Sequence, residues 1–330
     1  MLVSSKLFVF FMCMLSGVAL CVSSDSWFGA WCGLELNLMS FIPFISVKMN
    51  QYSSEASLKY FLVQALGSVF IVLGAGQVIL FFNSMGTMCM ALLLKLGAAP
   101  VHFWFPQVME GLGWLNCFFL MSVQKVAPMV LLSYLVMSWN ESYMVTWSAL
   151  FSAVVGAVGG LNQVLLRKIM AFSSINHMSW MMFGLLMSEV SWLVYFIFYV
   201  FISGSVVYIF YSQQMFHISQ MLSFKSSSLS LVIFMSLFSL GGLPPFSGFI
   251  PKWILIQEMI YCQFFFAFIV LLSMALVTLY YYLRLVLFFF IVGSPKSKWK
   301  MGMFFTSDMM PVVVVLNFLG LLIPSFFMLV

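Results

Sequence analysis

Charge is what this 330-residue chain has least of. Lysine and arginine number 13, aspartate and glutamate 8, so charged residues make up 6% while 64% are hydrophobic. A soluble domain carries about 25% charged residues. No stretch is long and polar enough to form a separate soluble domain, which leaves a polytopic membrane protein. The six cysteines (Cys13, Cys21, Cys32, Cys89, Cys117, Cys262) are scattered with no CxxC. Neither an iron–sulfur cluster nor a zinc site is indicated. No span offers a pair of axial histidines for haem, and neither a glycine-rich dinucleotide fingerprint nor a Walker motif is present. Redox chemistry and nucleotide hydrolysis are thereby excluded from this chain, and no nucleic-acid partner is indicated. Any energy for work must come from a gradient or from partner subunits.

What is present is hydrocarbon. About 20 apolar residues cross a bilayer core, so the length allows about eleven spans joined by short loops. The apolar runs predict helices over 6–23, 26–47, 59–82, 85–108, 113–137, 143–166, 168–188, 190–213, 228–260, 262–292 and 309–330. The first run, with Lys6 before it and small residues after it, also looks like a signal peptide. The next span follows within a few residues, which favours a retained helical hairpin. In this eleven-helix reading, Lys6, Lys48, Lys59, Arg167, Lys168, Lys225, Lys296, Lys298 and Lys300 all fall on the side of the N terminus. The opposite loops hold Asp25, Glu141 and Glu189. Such asymmetry puts the N terminus on the basic side, cytoplasmic or matrix.

Two of the predicted helices are broken. The fourth carries Lys95 and the run Gly97–Pro100. Pro100 removes a backbone donor and clashes with the preceding turn. The ninth carries Gly241–Gly248 and then Lys252. In hydrocarbon, a break survives only where protein or a water-lined cavity satisfies the freed backbone groups. The two breaks occupy the fourth place in two successive groups of five helices, about 1–137 and 143–292, with 309–330 left over. An odd number per group makes the second copy inverted, the pattern of a transporter whose breaks mark its path.

The spans also contain Glu35, Lys95, Lys125, Lys252 and Arg284, with His102 and His177 as titratable companions. A charge facing lipid at mid-depth costs roughly 3 kcal/mol, so three lysines would cost on the order of 10 kcal/mol. They must face the interior, pair, or meet water. At 1.5 Å per residue, Glu35 lies about 12 Å into its helix, Lys95 about 15 Å and Lys125 about 18 Å. All three are near mid-depth. Burial disfavours an ammonium and a nearby carboxylate favours it. A lysine between those influences loads or releases a proton when its partner changes. Glu35 is the candidate partner of Lys95. The two histidines can bridge gaps, and Ser173, Ser174 and Asn176 can order water around His177. The plainer readings are a structural ion pair of Glu35 with the lysines, capping of freed carbonyls by His102, and a packing role for His177. Lys252 and Arg284 can instead snorkel to an interface, for Arg284 the better reading because it lies near the basic end of its helix.

Several stretches, spread over nearly the whole chain, carry a family resemblance. They are Trp31–Met39, Ser54–Phe61, Lys95–Pro106, Gln124–Pro128, Gly159–Gln163, Leu166–Met178, Gly241–Trp253 and Tyr280–Arg284. In type and order they resemble the antiporter-like membrane-arm subunits of NADH:ubiquinone oxidoreductase, respiratory complex I. The resemblance implies an all-α antiporter-like transmembrane domain with two inverted five-helix repeats and a place in the mitochondrial inner membrane, the N terminus on the matrix side. It implies proton translocation coupled to NADH oxidation and ubiquinone reduction elsewhere in the complex, where FMN and the iron–sulfur clusters also reside. No cofactor is expected on this chain beyond structural phospholipids. It places the family's glutamate at Glu35, its partner lysine at Lys95, the central lysine at Lys125, the connecting histidine at His177 and the last lysine at Lys252, with His102 as a further relay candidate. The neighbours it implies are subunit 4L, subunit 4, the lateral helix of subunit 5 and supernumerary subunits. The eighth helix offers hydroxyls, Tyr195, Tyr199, Ser203 and Tyr208 among them, so a path there needs tyrosine or water. Two other functions share these residues: a stand-alone cation/proton antiporter of the same fold, and a spacer whose polar groups only hold the membrane arm together.

Overall fold

A computed structural model describes residues 5–46, 50–81, 85–136, 138–221 and 227–291. The predicted helix over 309–330 lies outside the described residues, as do Lys48, Lys225, Lys296, Lys298 and Lys300 of the charge map. The described chain is helical, in the order α1 (Ser5–Ser23), α2 (Trp27–Ser46), α3 (Gln51–Phe81), α4 (Gly86–Leu96), α5 (Trp104–Gly111), α6 (Trp114–Met121), α7 (Val123–Leu135), α8 (Trp139–Gly160), α9 (Leu166–Met187), α10 (Glu189–Ser212), α11 (Ile218–Met221), α12 (Ser227–Gly241), α13 (Phe249–Tyr261) and α14 (Phe265–Ile291). Six described segments are long and apolar enough to cross a membrane, the helix pair Trp114–Leu135 among them.

The expected helix over 59–82 begins earlier, at Gln51. Its first two turns are polar, so hydropathy passes over them. They hold helical form through the Glu55–Lys59 ion pair (2.6 Å), one turn apart, and through Ser54 and Ser57 hydroxyls donating to carbonyls three residues back. Hydropathy marks where a helix enters hydrocarbon, not where it starts. The expected helix over 113–137 is interrupted at Ser122, whose φ and ψ are −110° and −80°. Its hydroxyl donates to Phe118 O at 2.6 Å, competing with the backbone ladder. Pro128 follows nearly two turns later in α7 and removes a backbone donor. The chain tightens there, Lys125 N donating to Ser122 O (3.1 Å), and Lys125 stands in the first turn of α7.

Both expected breaks are present, and both open with the same device. Gly97 and Gly242 have φ of 71° and 74°. After α4, Gly97 N donates to Leu94 O and Ala98 N to Leu93 O; after α12, Gly242 N donates to Ser239 O and Leu243 N to Phe238 O. This is the Schellman closure, and its left-handed residue favours glycine.

Close backbone approach fixes the packing. A Cβ on Gly17 would stand 2.8 Å from Asn37 N, and one on Gly33 2.7 Å from Cys21 N, so α1 and α2 form a tight hairpin. Gly156 does the same for α8 and α9, at 2.6 Å from Asn176 N. Without a hydrophobic drive between helices in lipid, such small-residue contacts hold spans together. The helix α9 is buried along most of its length and is packed by α5, α6, α8, α10, α13 and α14.

One end of the bundle is tied by basic side chains. Arg167 donates to Leu112 O (2.6 Å) and lies 4.9 Å over the Phe216 ring; Lys168 pairs with Glu110 (2.8 Å). Arg284 reaches toward the same end. Its guanidinium donates to Leu161 O and Gln163 O, carbonyls left over where α8 ends. Among the described residues, the opposite end carries Glu141, bonded to Ser138, and Glu258, which accepts from Ser188 (3.1 Å).

Candidate functional site

Lys95 lies in the last turn of α4 and is 5% exposed. Gly67 of α3 makes room for its stem, since a Cβ there would meet Lys95 Cγ at 3.0 Å. Glu35 and Cys21 are its electrostatic neighbours. Glu35 is only half-buried and does not touch it. Among the described residues the direct ion pairs are Lys59–Glu55 and Lys168–Glu110, so the structural ion pair between Glu35 and a lysine is not formed.

A small cavity of about 10 Å³ joins Lys95 to Lys125. That is room for about one water. Its walls include Tyr60, Gln64, Gln124 and Phe105. A closed amide pair stands beside it: Asn37 Nδ2 donates to Gln124 Oε1 and Gln124 Nε2 donates to Asn37 Oδ1, both at 2.9 Å. Tyr60 OH adds a third bond to Gln124 Oε1 (3.1 Å), and Gln64 donates to Lys95 O (3.3 Å). The pair staples α2 to α7 beside the cavity.

Lys125 is 2% exposed and donates to Ser174 O at 3.3 Å. Its ammonium stands 5.4 Å from the Phe105 ring and 5.1 Å from the Tyr199 ring. The interruption at Ser122 puts it where α7 starts and aims it at α9. His177 lies one turn further along α9; its Nδ1 is 2.8 Å from Tyr195 OH, and its ring is 5.2 Å from that of Tyr199. Lys252, in the first turn of α13, donates to Gly241 O across the second break at 2.8 Å and stands 5.8 Å from the Trp180 ring. It therefore sits in the protein interior, not at an interface.

The two breaks satisfy their freed carbonyls differently. In the first, Trp104 Nε1 donates to Leu94 O (3.0 Å), and His102 Nδ1 is 3.2 Å from Pro100 O. His102 thus has the capping contact, and the named lysines lie elsewhere. In the second, Lys252 itself does the capping. The structure brings Lys95, Lys125, His177 and Lys252 into one buried band, with Glu35 at its edge and His102 outside its contacts.

Reasoning on charges alone passes over the neutral members. Gln124 stands beside Lys125 and Asn37 two residues after Glu35, each an amide in an apolar run. That was the available signal. Tyr60 stood out only as part of the stretch Ser54–Phe61, and Tyr281 and Tyr282 only as part of Tyr280–Arg284, with no role attached to their hydroxyls.

Residues 24–88 and 76–278 match the family described as NADH:quinone oxidoreductase/Mrp antiporter, transmembrane. The chain is 40% identical over 325 residues to NADH-ubiquinone oxidoreductase chain 2 of Anopheles gambiae, covering 95% of this chain and 94% of that one. It is 41% identical over 326 residues to the protein of the same name from Aedes aegypti, with the same coverage. Among solved structures, a chain of respiratory complex I from Thermus thermophilus superposes with a TM-score of 0.81 at 24% identity, covering 96% of this chain and 78% of that one. A chain of the Mrp complex from Dietzia sp. gives 0.77 at 15% identity, covering 84% and 59%.

Proposed function

This chain belongs to the NADH:quinone oxidoreductase/Mrp antiporter family, and we propose that it is an antiporter-like membrane-arm subunit of respiratory complex I that carries protons across the mitochondrial inner membrane. Electron transfer from NADH to ubiquinone takes place in other subunits. The observation that carries the reading is the burial of three lysines, 2–6% exposed, at an interrupted helix and two broken ones, none held in an ion pair. A purely structural cation in hydrocarbon would be paired with a carboxylate, because an unpaired buried charge is costly. A site that must hold a proton and then release it has to leave the ammonium unlocked.

The working parts follow in space. Glu35 acts on Lys95 through the field, without contact. A charge change delivered to Glu35 by a neighbouring subunit alters how strongly Lys95 holds its proton. The one-water cavity links Lys95 to Lys125, so the proton can stand on either. From Lys125 the band continues through His177 toward Lys252, which is lodged in the second break. In this reading the two matched breaks belong to two inverted five-helix units, and the N terminus faces the matrix. The apolar outer faces of α1, α3, α10 and α14 meet lipid and the neighbouring membrane-arm subunits.

Lys125→Met in the assembled complex tests the proposal. Methionine keeps the volume and the apolar stem contacts, so the complex assembles, NADH oxidation continues, and fewer protons cross per NADH. Normal assembly with a normal proton yield overturns the reading and leaves the chain a spacer.

A further inference from the structure

The first break leaves the last carbonyls of α4 without helical donors. Leu93 O accepts instead from Ala98 N, and Leu94 O from Gly97 N and Trp104 Nε1. Lys95 O accepts from Gln64 Nε2 at 3.3 Å. Gln64 lies on α3 and is 6% exposed. Tyr60, Gln64 and Gly67 follow one another at helical spacing and share one face of α3. Gly67 admits the Lys95 stem, while Tyr60 and Gln64 line the cavity that Lys95 and Lys125 also line.

The bond to Lys95 O fixes which way the Gln64 amide faces. Turned over, it would set two oxygens against each other at 3.3 Å with no hydrogen between them. So Nε2 holds the carbonyl and Oε1 is left over. Among the described residues neither Gln64 Oε1 nor Lys95 Nζ has a hydrogen-bond partner. Neither is sealed from space, since the buried polar atoms that lack a partner lie elsewhere, the hydroxyls of Tyr199, Tyr281 and Tyr282 with them. Both atoms therefore border open space, and the space their residues share is the one-water cavity. Gln124 is no acceptor there, because its Oε1 already takes bonds from Asn37 and Tyr60 and a carbonyl oxygen has two lone pairs. Gln64 Oε1 is the uncommitted amide acceptor of the cavity.

We propose that Gln64 is a positioning residue: anchored on the freed carbonyl of Lys95, it accepts one hydrogen of the cavity water and leaves the other for the neutral lysine. This rests on the proton-carrying function stated above and names what orders the water. With Lys95 as the ammonium, the water accepts a hydrogen bond from Lys95, donates one to Gln64 Oε1 and turns its second hydrogen to Lys125. Transfer moves a proton from Lys95 to the water and the water's second proton to the Lys125 amine. One ammonium is neutralised and one amine protonated, and water and amide end uncharged. An amide suits the place because it accepts without titrating. A carboxylate there would hold the ammonium in an ion pair.

The test uses the assembled complex in vesicles, with protons per NADH followed across pH. Gln64→Met keeps the length and removes both donor and acceptor. Gln64→Glu keeps the acceptor and, when ionised, lacks the donor. Around Lys95, Glu35 of α2 and Cys21 of α1 act through the field, and Tyr60 of α3 and Lys125 of α7 share the cavity; both variants leave all four in place. With methionine the yield falls toward that of Lys125→Met, and its alkaline limit moves to lower pH because the loaded Lys95 loses its acceptor. With glutamate transport persists and the limit moves to higher pH, by about one unit or more, the effect of a carboxylate close to a lysine. If Gln64 only capped the carbonyl, glutamate would cap only while protonated and its limit would move to lower pH. That result, or a methionine variant with normal yield and an unmoved limit, overturns the proposal. A yield lowered by Lys125→Met alone leaves the functional reading standing; a normal yield from all three variants ends both. Should the methionine variant not assemble, the direction of the glutamate shift decides.

Discussion

Two adjacent glycines at the second break should respond oppositely to the same substitution. Gly242 has φ of 74°, and a Cβ there would stand 2.8 Å from both Cδ and Nζ of Lys252. Alanine in the left-handed region costs about 1–2 kcal/mol. Displacing the lysine tip breaks its 2.8 Å bond to Gly241 O, and a hydrogen bond to a charged group contributes about 1.5–3 kcal/mol. Gly242→Ala should therefore destabilise by about 2.5–5 kcal/mol, a large share of the roughly 5–15 kcal/mol net stability of a typical protein. It should also dislodge Lys252 from its seat. Gly241 ends α12, and a Cβ there would meet nothing closer than Tyr282 Cδ2 at 3.7 Å, ordinary contact. Gly241→Ala should be neutral or stabilise by up to about 1 kcal/mol. Thermal unfolding of the assembled complex, with protons per NADH measured in vesicles, reads both effects. Equal behaviour of the two variants, or a Gly242→Ala complex with unchanged melting and proton yield, would refute the argument that the break's geometry seats Lys252.

Two further outcomes follow from the first half. Gln124→Leu leaves the Asn37 amide and the Tyr60 hydroxyl unpaired and should cost about 2–3 kcal/mol in thermal stability; Asn37→Leu combined with it should cost less than the two single changes summed, by about 1 kcal/mol or more, and strict additivity would dissolve the amide staple. Glu35→Gln breaks no direct ion pair, so assembly should change by less than about 1 kcal/mol while proton yield falls; a collapse on the scale of removing one member of a buried pair, about 3–5 kcal/mol, would mean that the pair is direct after all.

Much of the site is readable from residue type and position. A lysine in hydrocarbon is so costly that its presence declares a polar interior, and this located Lys95, Lys125 and Lys252 before any fold was known. Gly-Ala-Ala-Pro and Gly-Gly-Leu-Pro-Pro declared the breaks for an equally local reason: they cannot continue a helix. Other features were hidden because they depend on distance across the bundle. Glu35 and Lys95 look like an ion pair by depth, yet depth along an axis says nothing about which way a side chain faces. Arg284 reads as a residue reaching for the basic end, and only the fold shows that the end of α8 supplies two carbonyls for it. The interruption at Ser122 was masked because serine and proline occur often in membrane helices, and only the local geometry distinguishes a kink from a restart.

The sequence by itself determined that the chain is a helical membrane protein, where two of its helices break, and which cations lie inside. Those properties follow from the transfer cost of each residue and from its own backbone, and neither needs a neighbour. The tertiary structure decided which groups share a space: the cavity between Lys95 and Lys125, the Asn37–Gln124 staple, the seat of Lys252 on Gly241, and the unsatisfied tyrosines beside His177. Hydrogen bonds and fields act over a few ångströms between residues far apart in the chain, 87 positions in that staple and 123 between Arg284 and Leu161. No local rule reaches across such a separation, and packing alone brings the partners together.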